Sequence, residues 1–205
     1  MAFLGFTPRL PSFERAKSCS LSSRTRRQFF GLLFFIFLFT AFAPDRAQEQ
    51  SKEYQLKAAF LYNFAQFVKW PPDSFTNADA PFYIGILGDD PFGSVLEATV
   101  QGEAIDHHRL TVVRAQRIED LKDCQLIFIC KSEEGHQSEI LSKLGSRPIL
   151  TVSDVENFAQ NGGDIDFYLS GAKVRFEINP QSAKLCGLKI SSQLLSLGKI
   201  VGRGN

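Results

Sequence analysis

No stretch of the mature-looking part of this sequence concentrates charge of one sign. The 205 residues carry 23 Lys and Arg against 22 Asp and Glu, a net charge of +1. Residues 1–47 hold seven basic and two acidic side chains, so the remainder is mildly acidic. That balance argues against nonspecific nucleic-acid binding, which needs a dense basic surface. Histidine and cysteine are scarce, three and four respectively, and their spacing fits no zinc pattern. His107 and His108 are adjacent and would point opposite ways on an extended segment, so Asp106-His107-His108 reads as a polar loop. Only one long apolar run is present, which excludes a polytopic membrane protein, and 44% hydrophobic content excludes disorder and collagen.

Motifs for catalysis are missing as well. Gly85, Gly88 and Gly93 do not have dinucleotide-loop spacing, and no phosphate-binding Lys-Ser/Thr follows them. Ser170-Gly171 lacks the setting of a nucleophile elbow. Asp89 and Asp90 at a strand end resemble a Mg²⁺-binding pair, but a third acid is needed where the strand 125–130 instead ends in Cys130-Lys131. The reading is therefore a non-enzyme with no catalytic, metal or cofactor-binding residues.

What is present begins with a leader. Six basic side chains from Arg9 to Arg27 precede Phe29–Ala43, fifteen uncharged and mostly apolar residues. As a helix this run covers about 22 Å, short of the roughly 30 Å hydrocarbon core of a bilayer. A basic start, a short apolar run and small residues after it describe a secretory signal peptide over 1–47, cleaved near 43–47. Thr25-Arg26-Arg27-Gln28-Phe29-Phe30 resembles a twin-arginine signal, yet the strongly apolar run favours the Sec route. The expected location is the periplasm, with nothing spanning the membrane after processing.

Residues 48–205 suit a single α/β domain large enough to bury a core. An amphipathic helix over 51–70 places Leu56, Phe60, Phe64 and Phe67 at helical spacing and stops at Trp70-Pro71-Pro72. Apolar strands at 82–87, 110–113, 125–130 and 148–152 alternate with helices at 92–100, 118–121, 136–144 and 155–159. That alternation predicts a mostly parallel sheet covered on both faces. Residues 164–169 and 173–178 read as an antiparallel hairpin, followed by helices over 181–186 and 192–201. The predicted architecture is a three-layer α/β/α sandwich with that hairpin at one edge.

Outside the leader, Cys124, Cys130 and Cys186 are odd in number. Cys124 and Cys130 flank one strand and would lie about 20 Å apart, beyond disulfide reach. Either one can pair with Cys186, Cys124–Cys186 being the candidate bridge, or all three stay reduced and buried. The opening helix carries more aromatic surface than one buried face needs. Tyr62, Phe64, Phe67 and Trp70 are thus candidates for a partner or dimer interface, against the alternative of a purely internal helix.

Six segments in order carry a family resemblance: Tyr54–Pro71, Phe82–Gly93, Cys124–Ile129, Ile149–Phe167, Val174–Asn179 and Leu188–Val201. Over about residues 53–201 the chain resembles the YfiR (HmsC-like) family of bacterial periplasmic proteins. Gly88, Asp89, Gly162, Gly163, Glu177 and Asn179 are its structural landmarks here. Gly162-Gly163 would permit a positive-φ turn, and Glu177 with Asn179 would fix the junction between hairpin and helix. The resemblance implies a homodimeric, non-enzymatic regulator. It would bind and repress the sensory domain of an inner-membrane diguanylate cyclase, lowering cyclic-di-GMP signalling and biofilm formation. Related domains occur with sensor kinases. The alternative is therefore a small-ligand sensor feeding such a kinase, with its ligand in the crevice around Gly88–Gly93. Relatives use disulfides and respond to redox state, a property three body cysteines cannot reproduce intact.

Overall fold

The opening helix buries the face its phenylalanines mark, with Leu56 the exception. In a computed structural model, which describes residues 46–202, α1 (Arg46–Phe67) runs for 22 residues. Ala58, Leu61, Phe64 and Ala65 are wholly buried, whereas Leu56 is 45% exposed. These buried positions recur at three and four residues, the spacing of one helical face. Its aromatics meet those of the C-terminal hairpin, with ring centroids of Phe64 5.6 Å from Phe167 and 5.1 Å from Phe176. The expected leader falls almost entirely on residues 1–45, outside the described residues. Among the described residues no helix is long and apolar enough to cross a membrane.

The chain continues through β1 (Val68–Lys69), a 3₁₀ turn at Pro72–Ser74, β2 (Phe82–Leu87) and α2 (Val95–Val100). Then come β3 (Ala104–Ile105), β4 (His108–Ala115), a 3₁₀ turn at Ile118–Leu121, and β5 (Leu126–Ile129). A 3₁₀ segment Lys131–His136 leads into α3 (Gln137–Leu144), closed by Gly145 at φ 60°. β6 (Leu150–Ser153), β7 (Ile165–Ser170), β8 (Lys173–Ile178) and α4 (Pro180–Leu185) follow. The last elements are β9 (Lys189–Ile190), α5 (Ser192–Leu197) and β10 (Lys199–Ile200).

Eight strands form one mixed sheet in the order β10-β8-β7-β6-β5-β2-β4-β3, while β1 and β9 pair separately. β7–β8 and β3–β4 are antiparallel; the remaining pairs in the large sheet are parallel. Side-chain alternation divides β5 between two cores. Leu126 and Phe128 join the core beneath α1, and Ile127 and Ile129 join the one beneath α3. This is the three-layer α/β sandwich expected, with the hairpin inside the sheet's last strand, β10.

Three expected elements differ. Residues 155–159 form turns, not a helix, around Asn157 at φ 60°. The last helix ends at Leu197, because Gly198 lies flat against Phe176 and Ile178. A Cβ there would sit 2.6 Å from the Phe176 ring, and the chain runs on as β10 beside β8. The Cys124–Cys186 bridge is not made: all three thiols are free. Cys124 packs in the core beneath α3, while Cys186 packs against the one beneath α1.

Candidate functional site

In a doubly wound sheet, ligands settle outside the C-terminal strand ends where the strand order reverses. Here the reversal is at β2, flanked by β4 on one side and β5 on the other. The polar side chains at that place are bonded to one another and to the backbone. Gly88, at φ 92°, follows β2, and a Cβ on it would stand 2.3 Å from Ser132 Oγ. Both the backbone angle and the close approach require glycine. The exposed Asp89 donates its backbone N–H to the same Ser132 oxygen at 2.9 Å. Asp90 accepts from the Phe92 N–H at 2.7 Å and from Arg114 Nε at 2.7 Å. Arg114 also donates to Glu97 and to the Gly93 carbonyl. The guanidinium holds the Glu97 carboxyl below its ordinary range.

Beside this lies a buried charged latch. Asp154, just beyond β6, accepts from Tyr54 Oη at 2.8 Å and Lys57 Nζ at 2.7 Å. Lys57 also meets Glu53 at 2.6 Å, and the Lys57 and Asp154 side chains are only 4% and 7% exposed. The ammonium stands 4.4 Å from the centre of the Tyr54 ring. Burial, then the neighbouring Asp154, pushes the Tyr54 hydroxyl well above its usual range. The latch ties the first half of α1 to the strand ends. Among the described residues, no group of three or more His, Cys, Asp or Glu side chains could hold a metal.

The opposite end of the sheet is built differently. The strap after α1 crosses it, pinned by Gln125, a buried residue just before β5. Trp70 Nε1 donates to the Gln125 carbonyl at 3.0 Å, and Gln125 Nε2 donates to the Ser74 carbonyl at 2.8 Å. Its Oε1 accepts the Tyr83 N–H at 2.8 Å. Between the strap and the β3–β4 hairpin opens a cleft of about 540 Å³, lined by Trp70, Pro71, Pro72, Phe75, Ile105 and His108 among others. Phe75 stacks on the His108 imidazole at 3.8 Å. That hairpin turns through Asp106 and His107, both at positive φ as a tight two-residue turn demands. The polar loop expected there is this turn.

A family model described as YfiR/HmsC-like matches residues 54–199. The chain belongs to the YfiR/HmsC-like family. No curated protein matches it. At the level of that family it is a periplasmic regulator of cyclic-di-GMP signalling.

Of the aromatic residues expected at an interface, this YfiR/HmsC-like chain brings only Trp70 to a cleft. Phe64 is 0% exposed and is a core residue, contrary to expectation. Phe67 is half-buried against the same core, and Tyr62 donates from its hydroxyl to Glu103 at 2.6 Å. Gly162 takes φ 105°; Gly163 does not, but a Cβ on it would meet the Phe158 ring at 2.1 Å. Asn179 caps α4 by accepting the Ser182 N–H at 3.1 Å and donates to the Ala159 carbonyl at 2.9 Å. Glu177 instead ties down β10 through Lys199 Nζ at 2.6 Å and accepts from Gln160, in the turns after β6, at 3.0 Å. Burial pushes the Cys124 and Cys130 thiols up to about 12 and Cys186 to about 11. Such thiols are poorly ionised near neutrality and unsuited to fast redox exchange.

Sequence reasoning missed Lys57, Asp154, Arg114 and Gln125. Only Lys57 left a signal, its i,i+4 spacing from Glu53.

Proposed function

We propose that this protein is exported by its N-terminal leader and acts as a homodimer on the sensory domain of an inner-membrane diguanylate cyclase. It holds that enzyme inactive and so lowers cyclic-di-GMP and biofilm formation. Transmission of this kind needs no chemistry, only different affinity for two states of the partner. The observation that carries the reading is the strand-end crevice whose polar side chains are bonded to the protein itself. Where a doubly wound protein would hold a small ligand, Ser132, Arg114, Tyr54 and Lys57 are bonded to the protein itself. This favours recognition through an outer surface over the ligand crevice around Gly88–Gly93.

The test is in-cell cross-linking of a tagged full-length protein, with identification of the captured inner-membrane protein, together with cyclic-di-GMP measured in a deletion strain. Capture of a diguanylate cyclase and a rise in cyclic-di-GMP on deletion are expected. An unchanged cyclic-di-GMP level would refute repression, and capture of a sensor kinase in its place would move the function to that effector.

A further inference from the structure

The cleft at the N-terminal end of the sheet pairs an aromatic floor with a rim that carries Lys69 on one side and Asp106 on the other. Trp70 has its one indole N–H committed to the Gln125 carbonyl, so it offers a ligand only its ring. Pro71, Pro72 and Ile105 add apolar wall without hydrogen-bond donors on their side chains. Lys69, on that rim, lies directly opposite Lys189, which stands just outside the lining, across the β1–β9 pair. Both are exposed, and among the described residues neither lies within 4.0 Å of a carboxylate. Like charges facing each other on paired strands are destabilising, and an anion bound between them relieves that repulsion.

We propose that this cleft docks an extended peptide segment of the membrane partner, in which an apolar or proline residue is flanked by carboxylates. The apolar residue lies on the Trp70 ring and the carboxylates meet Lys69 and Lys189. Asp106, on the opposite wall, receives main-chain N–H groups of the segment and sets its direction. A proline-containing segment suits a donor-poor aromatic groove because it is already extended and has few N–H groups to satisfy. The walls are set before binding, by two prolines, the Gln125 bonds and the positive-φ hairpin turn, which lowers the ordering cost. The proposal rests on the reading of the protein as a partner-binding regulator.

Trp70 is the only tryptophan in the chain, so its fluorescence reports on the cleft directly. The probes are three blocked hexapeptides: Gly-Glu-Pro-Phe-Glu-Gly, the same peptide with lysine for glutamate, and one with Gly-Ser in place of Pro-Phe. A saturable change in Trp70 emission is expected with the first peptide alone, weakening several-fold between 50 and 300 mM NaCl. The double variant Lys69→Glu, Lys189→Glu should lose at least about tenfold in affinity for that peptide and gain for the lysine peptide. Circular dichroism confirms that it folds. Equal response to acidic and basic peptides, no response to the acidic one at millimolar concentration, or unchanged binding by the double variant would overturn the proposal. So would saturation by phosphatidylglycerol vesicles but not by peptide. The same variant is tested against the purified cyclase sensory domain. Capture by both proteins sinks the cleft and leaves the repressor reading standing. Capture by neither sinks that reading, and the peptide titration still decides the cleft.

Discussion

Substituting Lys57 by methionine should cost far more stability than a lysine on a helix normally would. Its ammonium lies 2.7 Å from Asp154 Oδ2, with both side chains under one-tenth exposed. At that separation and an effective dielectric constant near 20, the gross attraction is about 6 kcal/mol before desolvation is counted. Lys57→Met leaves Asp154 buried with Tyr54 as its one remaining donor, and its other oxygen, Oδ1, already has no partner. Orphaning a buried charge in this way costs about 3–5 kcal/mol. Asp154→Leu should cost less, because Lys57 keeps Glu53, which reaches solvent. The double variant replaces the pair by apolar groups and should recover most of the loss, giving a coupling energy of about 2 kcal/mol or more. For a body of this size each kcal/mol moves Tm by about 2–4 °C, so Lys57→Met should melt roughly 10 °C lower. Urea titration followed by circular dichroism supplies the four corners of the cycle. Additive single effects, within about 0.5 kcal/mol, would show that the two charges do not act as a pair and refute the latch.

Other outcomes follow from the same contacts. Gly163→Ala should destabilise by about 1–3 kcal/mol or more, because its Cβ would overlap the Phe158 ring at 2.1 Å. Gly93→Ala, at φ 54° with nothing within 4 Å, should cost only about 1–2 kcal/mol; thermal melts showing the reverse order would contradict the packing. Burial raises the Asp164 carboxyl to about 6 and that of Asp166, which also faces Glu177 across the β7–β8 pair, to about 7. The folded state therefore holds these protons more tightly than the unfolded one. Their contribution is favourable at low pH and is lost as pH rises through 6 and 7. The urea midpoint should fall between pH 5 and 8, and Asp166→Asn should flatten that slope; a rising midpoint would contradict the assignment. With three free thiols, reductant should leave Tm unchanged, and intact-mass measurement should show no loss of the two hydrogen atoms that a disulfide would remove. In thiol-reagent kinetics the half-buried Cys186 should react before Cys124 and Cys130.

Local pattern determined much of this molecule. The alternation of apolar strands and short helices and the hairpin joined near Gly171 were legible because each depends on neighbours along the chain, whereas the opening helix ends at Phe67, three residues short of the expected stop at Trp70. So were the family segments, now matched over 54–199. Tertiary structure decided everything that depends on distant partners. Leu56 looked like core and is exposed, while Lys57 is buried because Asp154, 97 residues away, supplies its counter-charge. β10 could not be read as a strand, since two residues have no periodicity and are extended only because Gly198 fits against β8. The internally bonded crevice and the open cleft are likewise products of assembly. One depends on α1 reaching the strand ends, the other on Gln125 pinning a strap that no local propensity would place there. Propensity and periodicity act over a few residues, whereas the energy of a buried charge or a packed ring is set by whatever the fold carries beside it.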